Sequence, residues 1–242
     1  MVYIIYSDVH SNLEALQTFL QITNNIAHDW KVCLGDIVGY GPDPNPCIKL
    51  VREHTDLVLA GNHDFAVLNK TNLSSFNFPA RKACIWTSEQ LTEENLEYLD
   101  GLPVFREENR VCWAHSSPFE PEGWHYIFSH YDGEVNFDHF NASVCFVGHT
   151  HVPLILEKNA SGVIVKNTLS TTKLALESRY IVNVGSLGQP RDYNPNPAFG
   201  IFDSESMTIE FRRFSYDLVT TQEKIIQNGL PVYLAERLKI GQ

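Results

Sequence analysis

Short apolar runs in this chain end repeatedly on small polar residues. The first run, Val2–Tyr6, contains only β-branched and aromatic residues, which is typical of a strand buried on both faces. Mostly apolar runs also occupy residues 31–34 and 57–60, and helical spacing of apolar residues follows the first run from Leu13 and the second from about Cys47. This alternation predicts strands that carry polar residues at their carboxyl ends, where open α/β sheets bind ligands.

The second half of the chain has a different pattern. Short apolar runs at residues 110–115, 144–149 and 180–185 have few helical stretches between them. Strand pairs within residues 153–214 predict a second and more antiparallel sheet. Residues 216–242 then predict a helical tail of two helices separated by a glycine and a proline.

Two further stretches complete the predicted organisation. Residues 65–102 are predicted to be largely helical. Residues 38–46 contain several prolines and glycines, so we predict neither helix nor strand there and begin the next helix near Cys47. Because no repeat or linker interrupts the chain, residues 1–242 are predicted to form a single domain.

Composition narrows the class of protein. The chain of 242 residues is 43% hydrophobic and 19% charged, which is typical of a globular protein with a sizeable core. Its net charge of −11 disfavours long nucleic acid and anionic membranes as partners. The five cysteines are widely spaced and lack a Cys-x-x-Cys pair, and no signal segment or membrane-length apolar run occurs. We therefore expect a cytoplasmic protein with reduced thiols.

The polar residues at the predicted strand ends have a distinctive composition. They include five of the ten histidines, within the stretches Asp8-Val9-His10, Gly35-Asp36, Gly61-Asn62-His63-Asp64, His115 and Gly148-His149-Thr150-His151. Residues two apart in an extended strand point to the same side, so a carboxylate and an imidazole can share one target. A single histidine is more often structural, but each of the two tetrapeptides is expected by chance in only about one in a thousand such chains.

These stretches resemble the signature of the calcineurin-like metallophosphoesterase superfamily, which runs Asp-x-His, Gly-Asp, Gly-Asn-His-Asp/Glu, His and Gly-His-x-His. All five elements occur between residues 8 and 151. Residues 35–42, 183–192 and 229–241 further resemble a small prokaryotic branch of predicted phosphoesterases related to diadenosine tetraphosphate hydrolases. The resemblance implies an α/β fold, a four-layer α/β/β/α sandwich of two mixed sheets flanked by helices.

The resemblance also implies a dinuclear metal centre. One metal would be held by Asp8, His10 and His151, the second by Asn62, His115 and His149, and Asp36 would bridge them. Oxygen and imidazole donors without thiolate suit two divalent ions such as Mn²⁺, Fe²⁺, Zn²⁺ or Ni²⁺. The implied reaction is hydrolysis of a small phosphodiester or phosphomonoester by a hydroxide that bridges the metals. The ions outweigh the carboxylates and the hydroxide by about one charge, so phosphate is attracted despite the acidic chain.

His63 is implied to act as the general acid rather than as a ligand, the alternative being a structural histidine beside a ligand. The chain departs from the family near this residue. The protein-phosphatase branch has an orienting Asp at the position of Gly39, and we expect Asp64 or a backbone carbonyl to replace it. Ser116 stands where this branch usually has Gly, and it either tightens the pocket or donates a hydrogen bond.

Substrate contacts are less sharply predicted. Arg191 is the candidate clamp for a substrate phosphate, with a surface pair to a nearby Asp as the alternative. The aromatic stretch at residues 124–131, with His125, His130 and the later His139, forms either a lid or substrate wall or part of the core, and we expect core packing. Competing functions are a hydrolase of nucleotides or dinucleoside polyphosphates, a nuclease, and a non-catalytic scaffold of the same fold. The sequence also allows a homo-oligomer.

Overall fold

The computed structural model describes residues 1–108 and 110–242, which contain twelve strands and eight α-helices. The strands are β1 (Val2–Tyr6), β2 (Trp30–Cys33), β3 (Leu57–Val58), β4 (Phe105–Glu108), β5 (Val111–Ala114), β6 (Val144–Val147), β7 (Leu154–Lys158), β8 (Ile164–Asn167), β9 (Thr171–Lys173), β10 (Arg179–Asn183), β11 (Ala198–Asp203) and β12 (Thr208–Arg213). The helices are α1 (Leu13–Thr23), α2 (Pro44–His54), α3 (Asn62–Val67), α4 (Phe78–Gln90), α5 (Glu93–Asp100), α6 (His130–Asn136), α7 (Leu218–Gln227) and α8 (Val232–Leu238).

The strands form two six-stranded mixed sheets. The first has the order β3-β2-β1-β11-β12-β9 and the second β4-β5-β6-β10-β7-β8. β1, β2 and β3 are parallel in the first sheet, as are β5, β6 and β10 in the second, and the remaining strands add antiparallel pairs.

The strand pairs of residues 153–214 do not form one antiparallel sheet, so that part of the prediction is wrong. β9, β11 and β12 extend the first sheet, whereas β7, β8 and β10 belong to the second. β11 pairs with β1 along the edge that β2 leaves free. The physical reason is that a buried central strand needs hydrogen-bond partners on both sides.

The main core lies between the two sheets, where side chains such as Ile5, Trp113, Phe146 and Phe202 pack together. α1 and α2 contribute to a second cluster on the outer face of the first sheet. A third cluster joins Phe137, the residue that follows α6, to the outer face of the second sheet. The predicted four-layer α/β/β/α sandwich is therefore confirmed, and the burial of β1 on both faces explains its uninterrupted apolar run.

The helical predictions are largely confirmed, with one correction. α2 begins at Pro44 and not near Cys47, because a proline in the first helical turn has no N–H to lose and a preset φ. The stretch 65–102 holds the rest of α3 together with α4 and α5. The predicted tail forms α7 and α8, which pack with α4 and Tyr40 in a separate cluster.

Disulfides and membrane-spanning helices are both absent from the described residues. All five cysteines are buried and free of disulfides, consistent with their prediction as small apolar residues. No helix between residues 1 and 108 or between 110 and 242 has the length and apolar character needed to cross a membrane.

Candidate metal centre

Loops that follow strands of both sheets converge on one place. The seven side chains predicted as metal ligands lie there, and none is more than 8% exposed: Asp8, His10, Asp36, Asn62, His115, His149 and His151. β1, β2, β5 and β6 each lead directly into one or two of them. Buried carboxylates and imidazoles at the ends of apolar strands are costly unless they are paired or bind a cation.

The backbone at these strand ends is strained. Five of the seven residues have a left-handed φ, which is 56° at Asp8, 49° at His10, 51° at Asp36, 64° at His149 and 62° at His151. This conformation costs a residue with a Cβ about 1–2 kcal/mol. Backbone bonds of 3.0 Å, from Asp8 N–H to Gly35 O and from His10 N–H to Asp36 O, hold the turns. Strain is thus concentrated where the side chains converge, as is common at functional sites.

The glycines that open the two tetrapeptides allow this close approach. A Cβ at Gly61 would lie 2.1 Å from Asp36 Oδ1, and one at Gly148 would lie 2.0 Å from Ser7 Oγ and 2.6 Å from Asp8 Oδ2. Any larger residue would displace the carboxylates from the centre. In the Gly-Asn-His-Asp and Gly-His-Thr-His patterns, the glycine therefore permits close packing and the residues after it supply the donor groups.

A first group of donors consists of Asp8, His10 and His151. His10 Nε2 lies 3.2 Å from His151 Nε2, and His151 Nε2 lies 3.2 Å from Asp8 Oδ1. His10 Nε2 lies 3.7 Å from the same carboxylate oxygen. These atoms are close enough to share one cation.

A second group consists of Asp36, His115 and His149, with Asn62 beside them. His115 Nε2 lies 3.4 Å from Asp36 Oδ2 and 3.3 Å from Asn62 Oδ1. Asp36 Oδ2 also lies 3.6 Å from His10 Nε2, so this carboxylate stands between the two groups. The other oxygen, Oδ1, accepts a bond of 2.8 Å from the backbone N–H of His63.

All four histidines turn one ring nitrogen outward to a backbone carbonyl. The pairs are His10 Nδ1 with Val38 O at 3.0 Å, His115 Nδ1 with Leu34 O at 3.0 Å, His151 Nδ1 with Gln189 O at 2.5 Å, and His149 Nε2 with Trp124 O at 3.0 Å. A carbonyl can only accept, so the outer nitrogen carries the proton of a neutral ring. The inner nitrogen then presents its lone pair to the centre, as in ligating histidines.

Burial and neighbouring charges separate the pKa values of these groups. Burial lowers the pKa of His10 well below its usual value, and burial with the nearby His115 lowers that of His149 to about 3. Burial alone would lower the pKa of His115 as well, but the Asp36 carboxylate raises it to about 9. Burial would raise the pKa of Asp36, but His115 and His63 lower it instead. In the absence of a metal ion, His115 therefore holds a second proton on its inner nitrogen at neutral pH, while the rings of His10 and His149 are neutral.

His63 lies beside the two groups and is itself close enough to His10 and Asp36 to form a third group with them. Its ring lies 4.8 Å from that of His10 and 4.4 Å from that of Tyr40. Burial lowers its pKa to about 4. The expectation that Asp64 orients it is wrong, because both Asp64 oxygens accept from backbone N–H groups of residues 37, 38 and 61. No carbonyl takes that place either among the hydrogen bonds of the described chain. The partner of His63 Nδ1 is the buried thiol of Cys84, with Sγ at 3.3 Å.

Sequence reasoning missed Cys84, and no local signal could have found it. The residue lies in the middle of α4, far along the chain from the family motifs. A Cβ at Gly39 would lie 2.4 Å from His63 Nδ1, so the position that carries an orienting Asp elsewhere has no room for a side chain here. The thiol of Cys84 reaches His63 from α4 instead.

Arg191, the predicted clamp for a substrate phosphate, is held by two neighbouring side chains. Arg191 Nη2 donates to Gln189 Oε1 at 2.9 Å and to the Tyr40 hydroxyl at 3.3 Å. Its alternative interpretation, a pair with a nearby Asp, is wrong, because Asp192 pairs with Arg213 instead. Within residues 1–108 and 110–242, Arg191 forms no ion pair with a carboxylate.

Ser116 is a hydrogen-bond donor, one of the two options left open by the sequence. It is buried, and its Oγ donates to Pro121 O at 3.2 Å, which ties down the loop that leads to Trp124. The core packing expected for the aromatic stretch is wrong at Tyr126 and Tyr131, which are 50% and 69% exposed. The Trp124 carbonyl accepts from His149 at 3.0 Å and thereby brings this stretch to the rim of the centre.

Two adjoining carboxylate–imidazole groups at the strand ends of a two-sheet sandwich define a metallophosphoesterase fold with a candidate metal site. The family model for calcineurin-like phosphoesterase matches residues 1–153, and the chain belongs to this family.

Three proteins are similar to this chain over nearly its whole length. The uncharacterized protein MJ0912 of Methanocaldococcus jannaschii is 39% identical over 98% of this chain and 97% of its own length. The crystal structure of a metallophosphoesterase from Sphaerobacter thermophilus has a TM-score of 0.88 and 38% identity, covering 100% of this chain and 99% of that chain. The hypothetical protein PH1004 from Pyrococcus horikoshii has a TM-score of 0.82 at 18% identity, covering 100% and 98%, and shows the fold alone.

The family typically binds divalent metals, and the residues present fit such ions. Asp8 Oδ1 is buried and accepts no hydrogen bond from the part of the chain that the structure describes, because the nearby His151 carries its proton on the outer nitrogen. The inner lone pairs of His10 and His151 face each other at 3.2 Å. Lone pairs that converge in a buried place repel one another unless a cation lies between them. The donors are oxygens and imidazoles without thiolate, which suits borderline divalent ions.

Proposed function

We propose that this protein hydrolyses a small phosphodiester or phosphomonoester at a dinuclear metal centre, with His63 as the proton donor to the leaving group. One observation carries the proposal: four buried histidines anchor their outer nitrogens on backbone carbonyls and turn their inner nitrogens toward the carboxylates of Asp8 and Asp36. Core histidines satisfied by hydrogen bonds do not need to bring four ring nitrogens together around two buried carboxylates.

In this proposal each group of donors holds one divalent ion. Asp8, His10 and His151 would hold the first, and Asn62, His115 and His149 the second. Asp36 would contact both, since its Oδ2 lies within 3.6 Å of His10 and 3.4 Å of His115. The chemistry that divalent ions supply at such a centre is activation of a water molecule and polarisation of phosphoryl oxygens. Mn²⁺ is the ion to test first among those the donors suit.

The surroundings of His63 suit a neutral donor. Burial lowers its pKa to about 4, so near pH 7 the ring is neutral and acts through its N–H group, as a donor to the leaving-group oxygen in the transition state. A thiol hydrogen from Cys84 to Nδ1 leaves the ring proton on Nε2, the nitrogen that remains to donate to a leaving-group oxygen. Cys84 is therefore proposed as the residue that orients His63 and selects its tautomer.

Arg191 is proposed to bind the phosphoryl group from beside Tyr40, whose ring also contacts His63. Gln189 and Tyr40 hold its guanidinium, which lies 5.6 Å from the centre of the Tyr40 ring. A guanidinium without a carboxylate partner can donate two parallel hydrogen bonds to phosphate oxygens. This local positive charge offsets the net charge of −11 on the chain.

The test is turnover of bis-p-nitrophenyl phosphate and p-nitrophenyl phosphate by purified protein with added Mn²⁺. Release of p-nitrophenol from either ester, lost in Asp36→Asn, is the expected result. If neither ester is hydrolysed although metal analysis finds two ions per chain, the chain is a non-catalytic scaffold and the proposal fails.

A further inference from the structure

A cavity of about 280 Å³ opens beside His63, between the start of α4 and residues 123–126. Its inner end is formed by Asn62, His63 and His149. If His63 donates to the leaving-group oxygen, this cavity lies where the leaving group would be held. The inference below therefore rests on the proposed function and concerns the substrate of the same site.

The walls of the cavity are aromatic. The Phe76 ring meets the His63 ring edge-on, with centroids 5.0 Å apart and planes at 73°. The Tyr126 ring is stacked on His149 at 4.2 Å and 25°. Trp124 is held by Phe65 at 5.3 Å and 81°. The three walls are thus oriented by packing on neighbouring rings, while Tyr126 keeps half of its surface exposed. Open aromatic faces at fixed positions favour a flat apolar ligand.

The outer lining is polar but uncharged. It includes Thr71, Ser75 and Asn77, and no Lys, Arg, Asp or Glu lines the cavity within the described part of the chain. Asn77 Oδ1 caps α4 by accepting from Ala80 N–H at 3.0 Å, which leaves its amide N–H groups as donors. A charged group placed here would lose its hydration without gaining an opposite charge.

We propose that this cavity is the leaving-group subsite and that it accepts an uncharged planar ring, as in an aryl or nucleoside ester. A leaving group with further phosphates is disfavoured, because no Lys or Arg of residues 1–108 and 110–242 lines the cavity, and the nearby Arg191, held by Tyr40, is assigned to the transferred phosphoryl group. The polyphosphate alternative raised by the sequence is thereby disfavoured, whereas a simple nucleoside ester is retained.

The first test measures binding without turnover. Isothermal titration of the Mn²⁺-loaded protein with adenosine, a neutral ring probe, should show binding that Phe76→Leu and Tyr126→Ala each weaken by about tenfold. Tyr131→Ala is the matched control, because Tyr131 is exposed and does not line the cavity. Ribose, which lacks the planar ring, should not bind. Metal content is measured for every variant, since Tyr126 also stacks on His149. Equal binding of adenosine by all variants, or none by the wild type, overturns the subsite.

The second test isolates charge. The kcat/KM for bis-p-nitrophenyl phosphate is compared with that for the same ester carrying one carboxylate on each ring. We expect the charged ester to be poorer by about tenfold or more, and equal values contradict the inference. Absence of turnover for both esters would instead refute the proposed function, and adenosine binding would still report on the cavity.

Discussion

The inner centre and the outer cavity differ in how their side chains are held. In the centre, each of the four histidines is anchored on a backbone carbonyl, and all seven candidate ligands are buried. In the cavity, Tyr126 and Trp124 lie on a loop and are positioned by other rings. Strand ends thus provide the precision that metal chemistry demands, whereas the loop provides a substrate wall that contacts the centre through His149. Substitutions in the two regions should therefore fail in different ways.

The largest effect is expected at Asp36. Asp36→Ala removes the only carboxylate between the two donor groups of the described chain, so both the metal content and the activity should collapse. We expect kcat to fall by about a thousandfold or more, with fewer than two ions per chain. Metal analysis beside the bis-p-nitrophenyl phosphate assay checks this, and a variant with full metal content would remove Asp36 from its bridging role.

His63→Ala should separate metal binding from activity. We expect unchanged metal stoichiometry and a kcat lower by about a hundredfold to ten-thousandfold, because a positioned proton donor contributes that much. The same two measurements apply. Full activity in this variant would end the general-acid assignment.

Cys84 should show a smaller effect through His63. Cys84→Ala is expected to lower kcat by about tenfold to a hundredfold, the range seen when a group that orients a functional histidine is lost. Cys84→Ser, which keeps a hydrogen-bonding hydroxyl, should recover part of it. Cys47→Ala is the matched control, because Cys47 is also a buried helical cysteine, and its thiol forms no hydrogen bond within residues 1–108 and 110–242. Equal loss in both Ala variants would mean that Cys84 only fills space.

The pH dependence of the metal-free protein should report on His115. Its folded pKa of about 9 exceeds the ordinary histidine value of 6.5, so the folded state holds the proton more tightly. The resulting stabilisation is fully present below about pH 6.5 and is lost as the pH rises towards 9. Urea unfolding of chelator-treated protein at both ends of this window should show the decline, and His115→Gln should lack it. A flat profile in the wild type would contradict the assigned proton.

Much of the centre could be predicted from the sequence, because local patterns encode it. The local features are the apolar runs, the glycines that open the two tetrapeptides, and the donor residues that come next. The seven predicted side chains do lie together, although their role as metal ligands stays a prediction. The family and the four-layer sandwich were predicted correctly for the same reason.

Other features depended on the tertiary structure alone. Cys84 reaches His63 from another helix, the aromatic loop turns outward instead of packing in the core, and β11 returns to the first sheet. Each of these results from contacts between segments far apart in the chain, which no local pattern records. The order of residues alone thus determined which donors follow which strands, since each donor stands within a few residues of its apolar run. Only the packed molecule decided what surrounds them, because loop positions and histidine tautomers are set by the distant groups they touch.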